Sequence, residues 1–259
     1  FLNVIKKTTF HFNNLFMLEI FILSLIQGIT EFLPISSSSH LIIFSNYINF
    51  ENQNLNIDIS LHIGSFLAVI TYFYKDILNF IKNKDLFFKI LTASLPVMFF
   101  GVFLVQTNFI EKLRNIEVIG WTTLIFGILL YISDRYKLKK TISIDFSYKS
   151  AIFIGFFQVL SLIPGVSRSG VSITAARFLK FKRFDAAKIS FLLSIPTLGA
   201  VSLFGLKNLV ESQEISISFL NLVAILLSYI FSLVTINYFL KYIENFNLNI
   251  FVFYRILLG

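Results

Sequence analysis

Long apolar runs, two of them broken midway by polar residues and a proline, constrain this chain more than any other feature. A membrane-crossing helix needs about 20 mostly apolar residues. Runs 57–74, 87–105, 116–133, 189–206 and 219–240 each meet or approach that length, and a further segment starts near Ile250. Regions 17–50 and 150–180 are also apolar, but "GITEFLPISSSSH" interrupts the first and "LIPGVSRSG" the second. Composition agrees: 56% of the residues are hydrophobic, 14% are charged, and the mean hydropathy is +0.79. Soluble domains run at about 45–50% apolar and about 25% charged. The expectation is an all-α, polytopic integral membrane protein.

The absence of cysteine excludes a disulfide framework and thiolate chemistry. A net charge of +8 could suit nucleic acid, but the basic residues sit in short inter-helix loops, where topology accounts for them. The segment "FLNVIKKTTFHFNN" precedes the first methionine, Met17, and no small-residue cleavage site follows Lys6 and Lys7. Residues 1–16 are therefore expected to be a non-native or wrongly assigned extension, and 17–259 a single transmembrane domain.

Basic residues fix sidedness. Lys75, Lys82, Lys84 and Lys89 lie between the first two clean runs, and Arg135, Lys137, Lys139, Lys140 and Lys149 follow the third. Lys180, Lys182, Arg183 and Lys188 precede the fourth, and Lys241 follows the fifth. The opposite loops hold only Lys112, Arg114 and Lys207, so the first set is cytoplasmic. Both ends of region 150–180 then lie on the cytoplasmic side. Its roughly 30 residues must enter and return, or cross twice with very short helices, and a re-entrant helix–loop–helix is the simpler form. Region 17–50 has the same outline from the outer side. Gln27 stands nine residues before Ser36, as Gln158 stands before Ser167, with Pro34 and Pro164 between. Opposed entry and this likeness predict an inverted-topology repeat with halves 17–133 and 150–259 and a site near the midplane.

An ionisable group inside a membrane costs about 2.5–3.5 kcal/mol on insertion scales, so such a group points to function. Glu31, His40, Arg168 and Arg177 are the candidates; His62 and Arg255, near run ends, are set aside. After Pro34 a new half-helix is expected to begin near Ser38 or Ser39. Serine hydroxyls and free N–H groups at such a start can bind an anion, or can simply cap the helix. Ser36 or Ser37 could serve as nucleophile, with His40 as base or proton donor. In the second loop Gly165 and Gly170 let the backbone turn and approach a ligand. Ser167 and Ser169 add hydroxyls. Arg168 presents a fork suited to phosphate, unless it snorkels to an interface or pairs with Glu31. Gln27 and Glu31, one turn apart, face one side. A carboxylate there could hold Mg²⁺ shared with a substrate phosphate, or position a water. Arg177, beside a basic segment, is expected to anchor at the cytoplasmic interface.

"QGITEFLPISSSSHLIIF", "LHIGSFLAV", "PGVSRSG", "SFLLSIPT" and the terminal "FVFYRILLG" together resemble the undecaprenyl-diphosphate phosphatase family, the bacitracin-resistance phosphatases of bacterial inner membranes. The likeness runs from about Met17 to Gly259. It implies removal of the terminal phosphate of undecaprenyl diphosphate, which recycles the lipid carrier for peptidoglycan synthesis. It also implies the inverted-repeat helical fold and a divalent cation, Mg²⁺ first and Ca²⁺ as the alternative. By position, the family's acidic motif falls on Gln27 and Glu31, its catalytic serine on Ser37, its histidine on His40 and its arginine on Arg168. Ser36, Ser38, Gly165, Ser167 and Ser169 complete the expected substrate-binding set. The chain has Ser39 and Ser172 where the family usually has glycine and threonine. The implied partners are the lipid substrate and membrane lipid, with no nucleic acid; a homo-oligomer is left open. The rival reading is a transporter or flippase for a polyprenyl phosphate or another anion, built on the same broken helices.

Overall fold

A computed structural model describes the backbone of residues 2–48, 55–82, 84–107, 112–136, 139–211 and 219–259. Lys137 and the side chains before Phe16, Lys6 and Lys7 among them, fall outside the described residues. The described chain is helical: α1 (Leu2–Thr30), α2 (Ser37–Ile48), α3 (Leu55–Tyr72), α4 (Tyr74–Lys82), α5 (Lys84–Gln106) and α6 (Ile116–Asp134) come first. They are followed by α7 (Ile142–Asp145), α8 (Tyr148–Val159), a 3₁₀ turn (Leu160–Leu162), α9 (Arg168–Phe178), α10 (Arg183–Glu211), α11 (Phe219–Asn245) and α12 (Asn249–Leu258). The chain's own residues set several starts. Asn115 accepts from the Val118 N–H to cap α6, and Ser147 accepts from the Ser150 N–H to cap α8.

Among the described residues, four helices are long and apolar enough to cross a membrane: Lys84–Leu104, Ile116–Asp134, Arg183–Lys207 and Phe219–Asn245. A fifth span is possible if the bent pair Asn56–Tyr72 and Tyr74–Phe80, 72° apart, counts as one. The expected run 57–74 therefore ends at a bend rather than continuing straight. Phe99, Leu203 and Leu257 are among many large apolar side chains left exposed. A bundle with outer faces this apolar suits hydrocarbon, since soluble monomers seldom expose large contiguous apolar patches.

The interior is closely packed. Phe32, beside the first break, meets Phe191 of α10 edge to face, with ring centroids 5.3 Å apart, and Phe191 lies 5.8 Å from Phe239 of α11. Small polar residues let α3 and α11 approach: Ser228 Oγ donates to Leu61 O at 2.7 Å and Ser232 Oγ to Ser65 Oγ at 3.0 Å. Such close, hydrogen-bonded contacts between helices replace the hydrophobic drive that lipid does not supply.

Arg177 departs from expectation. It is fully buried rather than anchored at an interface: Nη1 donates to Phe181 O and Nη2 pairs with Asp134 at 2.8 Å. Asp134 also accepts Arg183 Nε at 2.9 Å and Nη2 at 3.0 Å, and the Leu248 N–H at 3.2 Å. One carboxylate thus joins the ends of α6, α9, α10 and the loop before α12. Removing one partner of a buried ion pair costs about 3–5 kcal/mol, because the other charge stays buried. Asp134→Ala is expected to lose stability on that order, read as a lower unfolding midpoint in detergent, with Asp134→Asn falling between it and the wild type.

Candidate active site

Helix α1 stops at Thr30, and a turn over residues 31–35 separates it from α2, which starts at Ser37. Helix α8 stops at Val159, and the 3₁₀ turn and residues 163–167 separate it from α9. Ser36 (φ 75°) and Ser167 (φ 71°) are two of the three described non-glycine residues with left-handed backbone, and each sits directly before a helix. Such a conformation is costly for an L-residue and persists only where its surroundings hold it. Ser167 is held by its own cap, its Oγ accepting from the Gly170 N–H at 3.1 Å. Ser36 is held by His40, whose backbone N–H (3.4 Å) and ring Nδ1 (2.6 Å) both donate to Ser36 O. Helix α2 begins at Ser37, slightly earlier than expected. Ser39 lies inside it with its Oγ 2.9 Å from Ser36 Oγ, so the helix has no need of glycine there.

The two breaks meet side chain to side chain. Arg168 Nη2 donates to Glu31 Oε1 at 2.9 Å across 137 residues of sequence. Ser37 Oγ donates to Glu31 Oε2 at 2.6 Å, and Gln27 Nε2 donates to the same oxygen at 3.2 Å. Arg168 thus pairs with Glu31 rather than snorkelling. Its second terminal nitrogen, Nη1, is buried without a partner. Ser37 and Arg168 are half-buried and Ser38 is exposed, while Glu31, Gln27, Ser36, Ser167 and Ser169 are buried. A molecule arriving from outside therefore meets a hydroxyl already bonded to a carboxylate and the part of the Arg168 guanidinium that is exposed, while the spare hydrogen-bonding capacity lies on the buried Nη1. The first N–H groups of α2 and α9 also lack intrahelical acceptors by helix geometry, which favours an anion there.

Other expected residues have internal work. Ser169 Oγ donates to Leu33 O at 2.7 Å, stitching the second break to the first, and lies 3.2 Å from Ser167 Oγ. Gly165 has φ 92°, and a Cβ there would run into Thr122, whose hydroxyl donates to Pro164 O at 2.6 Å. His40 is turned away from Ser37. Its Nδ1 must carry the proton, since Ser36 O can only accept, and in the neutral ring Nε2 accepts from Tyr254 O–H at 2.6 Å. The carboxylate bonded to Ser37 Oγ is Glu31, and the His40 ring bonds to the turn at Ser36 O.

Three residues that the sequence reading passed over join the site. His62 Nδ1 lies 3.1 Å from Gln27 Nε2 and accepts from it. Tyr254 holds His40, and Arg255 lies fully buried between the breaks, with bonds to carbonyls of both. The signal used for Glu31, a polar or charged residue within an apolar run, marks His62 and Arg255 too, and only their place near run ends set them aside; the same signal could have found Tyr254.

A family model described as bacitracin resistance protein BacA matches residues 20–259. The chain is similar to the undecaprenyl-diphosphatase of Pelagibacter ubique (strain HTCC1062), at 46% identity over 244 residues, 94% of this chain and 95% of that protein. It is 44% identical over 255 residues to the undecaprenyl-diphosphatase of Saccharophagus degradans (strain 2-40), covering 92% of this chain and 93% of that one. Against the undecaprenyl-diphosphatase of Jannaschia sp. (strain CCS1) the identity is 38% over 256 residues, with 94% and 96% covered. With a hydroxyl, a carboxylate and a guanidinium joined across its two helix breaks, the chain belongs to the bacitracin resistance protein BacA family.

Proposed function

We propose that the protein hydrolyses undecaprenyl diphosphate to undecaprenyl phosphate and inorganic phosphate, in the inner membrane of a bacterium, and so recycles the lipid carrier of peptidoglycan synthesis. The observation that carries this reading is the chain Ser37–Glu31–Arg168, with its 2.6 and 2.9 Å bonds. A carrier that only bound an anion would have no use for a hydroxyl activated by a buried carboxylate, so a transporter is the weaker account.

In the proposed reaction Arg168 Nη1 and the N–H groups at the starts of α2 and α9 bind the terminal phosphate. Phosphoryl transfer depends mostly on such positioning and on stabilising charge in the transition state. Ser37 Oγ attacks the terminal phosphorus as its proton passes to Glu31 Oε2, and the bond from phosphorus to the bridging oxygen breaks. Undecaprenyl phosphate leaves, carrying the proton that Glu31 took from Ser37. Water, giving a proton to the freed Glu31 carboxylate, then attacks the phosphoserine; Glu31 passes that proton to Ser37 Oγ as its bond to phosphorus breaks, which returns the hydroxyl and releases inorganic phosphate. The alternative is direct attack by a water that Glu31 positions. A rapid acid quench with radiolabelled terminal phosphate separates the two, since only the first leaves label on Ser37.

A divalent cation fits these residues as a shared ion. Gln27 Oε1 is buried without a hydrogen-bond partner beside Glu31, giving the oxygen donors that Mg²⁺ or Ca²⁺ takes. Among the described residues no group of three or more His, Asp or Glu could cage a metal. When bound, the ion would neutralise phosphate charge. EDTA is expected to stop phosphate release from a long-chain polyprenyl diphosphate by the detergent-purified protein, and Mg²⁺ to restore it. Release unaffected by EDTA would remove the cation from the proposal, and no release under either condition would remove the phosphatase.

The two breaks are read as re-entrant segments within one transmembrane domain, 17–259, built from inverted halves 17–133 and 150–259. The apolar helix leading into the second, Tyr148–Leu162, falls short of a span. The repeat is supported by the left-handed Ser36 and Ser167, each nine residues after a buried glutamine. Packing agrees: α1 lies on α11 as α8 lies on α5, with Gly28 against Phe231 and Gly155 against the Ala93 backbone. Exchange of the halves maps one pair onto the other. A homo-oligomer would leave this site intact within each chain.

A further inference from the structure

We propose that Arg255, in the last helix, is a positioning residue for the reaction: it holds the two helix breaks in one register by taking their carbonyl oxygens from behind. The proposal rests on the phosphatase reading for its kinetic arm and on geometry alone for its structural arm.

Arg255 is buried to 0% exposure, and among the described residues no carboxylate pairs with it. A buried cation without a counter-ion needs hydrogen-bond acceptors, and its fork finds four backbone carbonyls. Nη1 donates to Pro34 O of the first break and to Val166 O of the second, both at 3.1 Å. Nη2 donates to Gly165 O at 2.9 Å and Nε to Thr123 O of α6 at 3.1 Å. One planar group thus touches both breaks and the helix behind them.

The site requires this direction of bonding. A loop that binds phosphate must keep its carbonyls away from the anion, since two negative partners repel. Arg255 takes three loop carbonyls and Thr122 takes that of Pro164. These four carbonyl oxygens are thereby held by donors of the protein rather than left to face an anion. The positive charge also lies behind the breaks, where it favours an anion in front of them. Two glycines leave room for the side chain. A Cβ on Gly170 would come within 2.9 Å of Nη1, and one on Gly127 within 3.0 Å of the Arg255 Cβ. A lysine could supply charge but not four bonds in one plane.

The test uses the full chain in detergent with Arg255→Lys, Arg255→Met and Gly127→Ala, the last crowding the arginine stem without removing the guanidinium. Amide hydrogen exchange is read over 31–38 and 163–170, and over 116–134 and 249–258. Faster exchange in both breaks at once is expected in all three variants, least in Gly127→Ala. Phosphate release per folded molecule is expected to fall about 100-fold in Arg255→Met, mainly in kcat, with partial recovery in Arg255→Lys. Faster exchange confined to 116–134 and 249–258, with wild-type turnover per folded molecule, would overturn the proposal by reducing Arg255 to a helix-docking residue. If Arg255→Met does not fold, the lysine and Gly127 variants carry the same comparison. A wild-type protein that released no phosphate would defeat the phosphatase reading, while the exchange arm would still decide the role of Arg255.

Discussion

Glu31→Gln is expected to lower the turnover of polyprenyl diphosphate by about a thousandfold, in the middle of the range for losing a general base. The substitution changes almost no volume, so the effect isolates the chemistry of one oxygen. In the wild type Glu31 Oε2 accepts the Ser37 hydroxyl at 2.6 Å, and Oε1 accepts Arg168 Nη2 at 2.9 Å. A glutamine can keep only one oxygen acceptor. If that oxygen faces Arg168, its amide nitrogen faces Ser37 and cannot take a proton; if it faces Ser37, two donors confront each other at Arg168. Neither arrangement gives a base, and neither leaves the guanidinium oriented. The measurement is kcat at saturating lipid, alongside gel filtration and circular dichroism to establish folding. A folded Glu31→Gln protein within tenfold of the wild type would place the base elsewhere.

Much of this arrangement was legible because it depends on local spacing. Gln27 and Glu31 are one helical turn apart, and the serines after Pro34 read as a helix start. The nine-residue step from Gln27 to Ser36 and from Gln158 to Ser167 marked the two positions where the backbone turns left-handed. Long-range partners were harder. Arg255 bonds to Pro34 across 221 residues, and His40 to Tyr254 across 214. Nothing in the run "FVFYRILLG" says whether its arginine turns inward or reaches for an interface. The burial of Arg177 had the same cause: its partner Asp134 lies 43 positions away at the end of another helix. His40 shows a different limit of local spacing. A histidine four residues after a serine on a helix suggests a base for that serine, but the same spacing lets the ring turn back onto the Ser36 carbonyl, and here it does.

Arg168→Ala is expected to cost about 10³-fold in kcat, at the low end of what a phosphoryl-transfer arginine contributes. Two functions are lost together. The buried, unpartnered Nη1 is the strongest donor left for a phosphate oxygen, and Nη2 orients the Glu31 carboxylate that faces Ser37. Arg168→Lys restores a charge but only one reach. Its ammonium can neutralise phosphate or hold Glu31, and a planar fork is needed to do both along fixed directions. The lysine variant is therefore expected to regain no more than about a tenth of the lost rate. The informative comparison is the double variant with Glu31→Gln. If arginine, carboxylate and hydroxyl act as one chain of bonds, breaking either end disables the whole, and the double variant should be little slower than either single one. Additive losses, approaching the product of the two, would mean that Arg168 binds phosphate independently of Glu31. The 2.9 Å contact between them would then be a feature of the empty site, released when the diphosphate arrives.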